Sequence, residues 1–271
     1  MANIPTALYL QGGPGLNCAI ERVWLGENYP VLWWDQPRFF ADAENAYQLT
    51  LDAAAEKLAE LHATQRKPIH LIGWSFGARL ALDLAHRAPE AIGTLTLLAP
   101  SLCLETAFNR MAHYLATRGA SIPTSVSQAS SSNNRVNNHE DFMQRVISTL
   151  STPDLFSHYW APTSGAQFAR HSKEAASTNW FDLDTFSAVS RDIIKRPIAP
   201  LSTGRITCIR IFAGRHDPYF APKTDIDLWK TIFPEASIRI ENGGHMLPFE
   251  ILAAEWLDSS FAAPAEANPA P

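Results

Sequence analysis

The segment from Pro68 to Pro89 constrains this chain most. Pro68 introduces an apolar strand over residues 69–72, and residues 78–88 read as a helix stopped by Pro89. Between them lies Gly73-Trp74-Ser75-Phe76-Gly77, a G-x-S-x-G sequence. In a strand–turn–helix context this sequence places a serine on a sharp, strained turn, with its hydroxyl exposed above a sheet. Small flanking residues let strand and helix approach closely. The helix N-terminus behind the turn favours developing negative charge. Ser75 is therefore the candidate nucleophile.

The surrounding pattern extends this reading. Apolar strands are expected over residues 6–10, 30–34, 93–99, 206–212 and 237–240. Helices are expected over 49–63, 222–232 and 248–257; in the first, Leu51, Ala54, Leu58 and Leu61 share one face. Continuous apolar strands separated by helices indicate a mostly parallel sheet covered by helices on both faces. The pattern breaks between Pro100 and Arg205, where helical pieces occur without a clear strand. A Ser- and Asn-rich stretch, residues 121–138, reads there as a mobile loop. Aromatic residues flank it, Phe108, Tyr114, Phe142, Phe156, Tyr159, Trp160, Phe168, Trp180, Phe181 and Phe186 among them.

Composition narrows the functional classes. With 271 residues, 46 % of them hydrophobic and only 18 % charged, the chain has ample material for a large core. Intrinsic disorder over most of its length is excluded. The net charge of −5 and the absence of basic runs argue against nucleic acid as a partner. No run reaches the roughly 20 apolar residues of a membrane span, and residues 1–10 lack the features of a signal peptide. Cys18, Cys103 and Cys208 form no CxxC, so they are expected to be buried neutral thiols in a cytoplasmic protein.

A serine nucleophile needs an oxyanion site, a base and a group that orients the base. Gln11-Gly12-Gly13-Pro14-Gly15 follows the first strand and can aim backbone N–H groups at Ser75. The two donors are assigned to Phe76 and Gly13, with Gly12 as the alternative. The sequence is not a phosphate loop, since neither GxGxxG nor GxxxxGKS occurs in it. Asp217 and His245 each follow a predicted strand, at the sheet end where ligands bind in open α/β folds. They are the candidate acid and base. His216 is the second choice of base and Asp35 the rival acid. His62, His86 and His171 read as solvated or helix-surface residues, His70 as a core histidine, and Asp225 and Asp227 as surface charges.

These motifs resemble the α/β-hydrolase superfamily. The resemblance covers residues 5–100 and 205–258 and implies a helical cap inserted after the sixth strand of that fold. Residues 1–100 and 205–261 would form the core, 101–204 the cap and 262–271 a disordered tail. Gly12-Gly13-Pro14-Gly15 with Asp35-Gln36 is similar to the proline iminopeptidases, although Gln11 replaces their histidine and Pro37-Arg38-Phe39-Phe40 replaces their Arg-Gly continuation. Gly15-Leu16-Asn17, Trp24 and Gly73-Trp74-Ser75 are similar to the pimeloyl-carrier-protein methyl ester esterases.

The expected protein is a serine hydrolase or thioesterase that acts on an ester or thioester of a hydrophobic acyl group, either small or carrier-bound. Trp74, Trp160, Phe142 and Trp180 are the candidate substrate-binding residues. No metal or organic cofactor is implied, and a monomer or homodimer is expected. An aminopeptidase would need an acidic pocket, for which Glu105, Glu140, Asp141, Glu174 and Asp184 are the available residues. A triad-based lyase, cyclase or carbon–carbon bond hydrolase and a non-catalytic binding protein are the remaining readings.

Overall fold

Short strands with apolar residues on both faces must be covered on both sides, and this sets the architecture. The computed structural model describes residues 6–26, 29–119, 139–194, 196–201, 206 and 208–257. Strands β1 (Ala7–Leu10), β2 (Val31–Trp34), β3 (Ile69–Trp74), β4 (Ile92–Leu98), β5 (Cys208–Gly214) and β6 (Ser237–Glu241) form one sheet. Its order is β2-β1-β3-β4-β5-β6, and every pairing is parallel. Every residue of β1 and β3 is buried. Side chains alternate between the faces. Leu8, Leu10, Ile69 and Leu71 enter one apolar cluster, and Tyr9, Ile72 and Trp74 enter the other.

The helices α1 (Ala19–Leu25), α2 (Ala46–Gln65), α3 (Phe76–Arg87), α8 (Pro222–Ile232), α9 (Leu247–Glu250) and α10 (Ala253–Leu257) accompany the strands. Two of them differ from expectation. α1 was not legible in the sequence. The helix expected over 248–257 is two pieces, because Ile251 takes an extended backbone that ends the first. Between β4 and β5 the chain forms only helical elements among the described residues. These are α4 (Leu104–Thr117), α5 (His139–Leu150), a 3-10 turn (Leu155–Tyr159), α6 (Gly165–Ser177) and α7 (Leu183–Ile193). α7 packs on α2, α4 on α5, and α6 on α1. The loop expected over 121–138 and the tail over 262–271 lie outside the described residues. Among the described residues no helix is long and apolar enough to cross a membrane.

The strand order positions a site. From β1 the chain moves outward to β2, then returns to β3 on the other side of β1. Such a reversal opens a crevice beyond the carboxyl ends of the two strands. The loops that enter it carry Gly12–Gly13 and Ser75.

Candidate functional site

The turn at Ser75 is built by close approach. Ser75 holds a left-handed φ of 53°. Its N–H donates to the Leu98 carbonyl at 2.9 Å, and its carbonyl accepts from the Ser101 N–H at 3.1 Å. A Cβ at Gly77 would lie 2.2 Å from the Leu10 carbonyl oxygen, so only glycine lets α3 pass this near to β1.

Two further loops reach the same point. Asp217 follows β5 and His245 follows β6. They touch where a Cβ on Gly214 would lie 2.0 Å from the Gly244 carbonyl oxygen. His245 Nδ1 is 2.8 Å from Asp217 Oδ2, and His245 Nε2 is 2.8 Å from Ser75 Oγ. A carboxylate oxygen can only accept, so Nδ1 carries the ring proton and Nε2 accepts from the serine. Asp217 Oδ1 accepts from the Tyr219 N–H at 2.7 Å. All three side chains are buried. A proton can therefore pass from Ser75 to an imidazole held on its far side by a carboxylate.

The His245 loop is fixed from three directions. The Trp74 indole N–H donates to the His245 carbonyl at 2.9 Å. The N–H groups of His245 and Met246 donate to the Tyr159 carbonyl at 2.7 and 3.2 Å. Glu250 accepts from the Gly244 N–H at 2.7 Å and from the Ala161 N–H at 2.8 Å, so one carboxylate spans the histidine loop and the inserted helical segment.

The loop of Gly12 and Gly13 faces Ser75 across the crevice. Among the described residues, no backbone carbonyl accepts from the N–H groups of Gly12, Gly13 or Phe76. Gln36 Nε2 donates to the Leu16 carbonyl at 3.1 Å and to the Gly13 carbonyl at 3.4 Å, steadying the loop from below. The inserted segment holds it from above. Asn17 N–H donates to the Trp180 carbonyl at 3.0 Å, and Asp182 N–H to the Gly15 carbonyl at 2.8 Å.

A cavity of about 120 Å³ opens on Ser75 and His245. Its wall includes Trp74, Leu104, Phe108, Phe156, Trp180 and Phe186, together with Ser101, Tyr159 and Tyr219. Of the four aromatics expected to meet substrate, Trp74 and Trp180 line it. Phe142 and Trp160 do not, which corrects their expected position. Phe142 packs behind Phe108, with ring centres 6.0 Å apart, and Trp160 packs among Phe168, His171 and Phe249. Apolar character is the same for a residue under the wall and one in it, so the sequence could not separate them. Tyr219, Ser101 and Glu250 were missed. Only the nearness of Tyr219 to Asp217 in the chain could have drawn attention to it.

The rival residues lie elsewhere. His216 is exposed and bonds Asn242 at 3.0 Å. Asp35 pairs with Arg22 at 2.8 Å and accepts from the Cys18 N–H. His70 is a buried core residue, 2.8 Å from Thr96 Oγ1, as expected. His171 is not a surface residue but is buried among Trp160, Trp180 and Phe249, and burial pushes its pKa down to about 4. Asp225 is likewise buried, held 2.6 Å from Arg110. Cys18 is buried, whereas Cys103 is exposed. No group of three or more His, Cys, Asp and Glu is arranged to hold a metal among the described residues.

A family model described as the alpha/beta hydrolase fold matches residues 32–250. The chain belongs to the α/β-hydrolase family. An uncharacterized protein of Synechocystis is 37 % identical over 90 residues, a match that spans only 33 % of this chain and 33 % of that relative. Among solved structures, this hydrolase is similar to a proline iminopeptidase-related protein from Thermus thermophilus. That likeness has a TM-score of 0.64 and 19 % identity, over 96 % of this chain and 86 % of the other. It is also similar to a thermophilic esterase from Thermogutta terrifontis, with a TM-score of 0.55 and 17 % identity over 92 % and 86 % of the two chains. At these identities the likeness is one of fold.

Proposed function

We propose that the protein is a serine esterase or thioesterase acting on a compact, hydrophobic acyl substrate. The observation that carries this reading is the hydrogen-bonded line Ser75–His245–Asp217 opening on a cavity whose described wall contains no acidic side chain. Ser75 Oγ attacks the carbonyl while His245 Nε2 takes its proton. Asp217 holds the imidazole tautomer and stabilises the imidazolium. The N–H groups of Phe76 and Gly13, with Gly12 as the alternative, receive the oxyanion. His245 returns the proton to the leaving alcohol or thiol, then activates the water that releases the acid. The cavity of about 120 Å³ is close to the roughly 150 Å³ that accepts a benzene ring, which favours a short chain or single ring in the described pocket. The inserted helices serve as a cap over it.

The test is Ser75→Ala assayed on a p-nitrophenyl ester. Turnover should fall on the order of 10⁶-fold, and a fluorophosphonate probe should label the parent protein but not the variant. Undiminished turnover in Ser75→Ala would overturn the reading. A parent protein that neither labels nor turns over would instead support a binding module on the same scaffold. A labelled protein inert toward esters and thioesters would favour the lyase, cyclase or carbon–carbon hydrolase reading.

Aminopeptidase activity is the second reading, favoured by the Gly12–Gly15 loop and by the iminopeptidase-related neighbour. Among the described residues, the cavity wall offers no acidic group to recognise the substrate amine. Glu140, Asp141 and Asp184 are exposed, Glu105 faces Arg145, and neither these nor Glu174 line the described cavity. Hydrolysis of proline naphthylamide faster than of acyl esters would reverse the order of the two readings.

A further inference from the structure

The cavity is too apolar for its hydroxyl groups to be incidental. Besides Ser75 and His245, its polar side chains are Tyr159, Tyr219 and Ser101, apart from Trp74, whose indole N–H is spent on the His245 carbonyl. The Tyr159 and Tyr219 hydroxyls are 2.7 Å apart. Two phenols carry two protons, and one contact uses one of them. The accepting hydroxyl keeps its own proton, for which no partner exists among the described residues. The Tyr219 ring stands edge-on to His245 with ring centres 4.6 Å apart and the Tyr159 ring centre lies 5.6 Å from it, so the paired tyrosines pack against the base. Burial pushes both phenols up, Tyr159 to about 12, so the pair stays a donor across the working pH range. The Ser101 hydroxyl is buried and also without a partner among the described residues.

A donor in a cavity where Phe108 packs on Tyr219 and Phe156 on Tyr159 loses its hydration when an apolar ligand fills the space. A substrate that brings an acceptor satisfies it; one that does not leaves it unpaired. We propose that the Tyr159–Tyr219 pair is a subsite for a second oxygen on the substrate, outside the scissile group. The preferred substrate is then an ester or thioester whose compact acyl or alcohol part carries an ether, carbonyl or hydroxyl oxygen. This inference rests on the serine-hydrolase reading.

Two isosteric pairs test it, one for each side of the scissile bond. The first compares p-nitrophenyl methoxyacetate with p-nitrophenyl butanoate, the second 2-methoxyethyl butanoate with butyl butanoate. Each kcat/KM ratio is divided by the ratio of the hydroxide-catalysed rates, which removes the inductive effect of the extra oxygen. The parent protein should favour the oxygen-bearing member of at least one pair roughly tenfold. The double substitution Tyr159→Phe/Tyr219→Phe, which keeps both rings, should bring that corrected ratio near one, whereas each single substitution leaves one phenol proton to donate and should give an intermediate ratio. A parent ratio near one for both pairs overturns the inference while leaving the hydrolase reading intact. A preference that survives the double substitution, or that only Ser101→Ala abolishes, overturns the tyrosine assignment. Failure to hydrolyse the four esters and the corresponding thioesters removes both readings, whether or not fluorophosphonate labels Ser75.

Discussion

Ser75 occupies a backbone conformation that costs a non-glycine residue on the order of 1–3 kcal/mol. The neighbouring glycines make the turn possible by letting main chains nearly touch. Gly77→Ala would press a methyl group against the Leu10 carbonyl oxygen, which is backbone and cannot rotate away. The expected outcome is a loss of about 1–3 kcal/mol in urea unfolding, with a fall in fluorophosphonate labelling as the Gly12–Gly13 loop shifts from Ser75. Asp217→Asn tests the other end of the line. The amide preserves shape but can present an N–H to Nδ1 and so favour the wrong tautomer. Turnover of an activated ester should fall about 10⁴-fold without a comparable change in stability.

At the scale of elements, the inserted helices are bound to both halves of the site. An antiparallel contact at Leu16 and Phe181 ties them to the Gly12–Gly15 loop, and residues 159–161 tie them to the His245 loop. Glu250, at the end of α9, completes the second contact. Glu250→Ala would strand the N–H groups of Gly244 and Ala161, each costing about 1–3 kcal/mol where water cannot replace the carboxylate. On the proposed mechanism the rate of fluorophosphonate labelling should fall between ten- and a hundredfold, because a displaced imidazole would activate Ser75 poorly. Glu250→Gln keeps one acceptor and should be intermediate. Equal labelling rates in all three proteins would show that His245 holds its position without this carboxylate. The sheet and its flanking helices were largely legible, since strand and helix periods are written locally. α1 and the break at Ile251 were not, because tertiary contacts decided them.

For the whole molecule, two buried groups on the Trp74 side of the sheet make stability pH-dependent with opposite sign. Burial lowers His171 to about 4. An unfolded histidine takes up a proton near pH 6.5, so stability falls as pH drops from about 6.5 to 4. Burial raises Glu21 to about 8, opposed by the hydrogen bond from Tyr9. The unfolded carboxyl loses its proton near pH 4.3, so stability falls as pH rises from there to 8. Between about 4.5 and 6.5 the two slopes cancel. Above 6.5 only Glu21 acts, at a cost of roughly 2 kcal/mol by pH 8. Urea midpoints should therefore decline from pH 6.5 to 8 in the parent protein and stay level in Glu21→Gln. In His171→Phe the decline should begin near pH 4.5. Midpoints that rise above pH 6.5 in the parent would contradict the assignment of Glu21.

The sequence by itself determined the parallel sheet, the turn at Ser75 and the two strand-end loops that bring Asp217 and His245 to it. Each depends on short-range patterns, namely apolar runs, glycines at close approaches, and residues placed just beyond strand ends. Only the tertiary structure decided which aromatic residues face the cavity, that Tyr159 and Tyr219, whose rings pack on His245, share a hydrogen bond, and that Glu250 binds Ala161, 89 residues before it. Those outcomes depend on how the inserted helices dock. An apolar side chain has the same sequence signature whether it faces a core or a cavity, and only the docked geometry distinguishes the two.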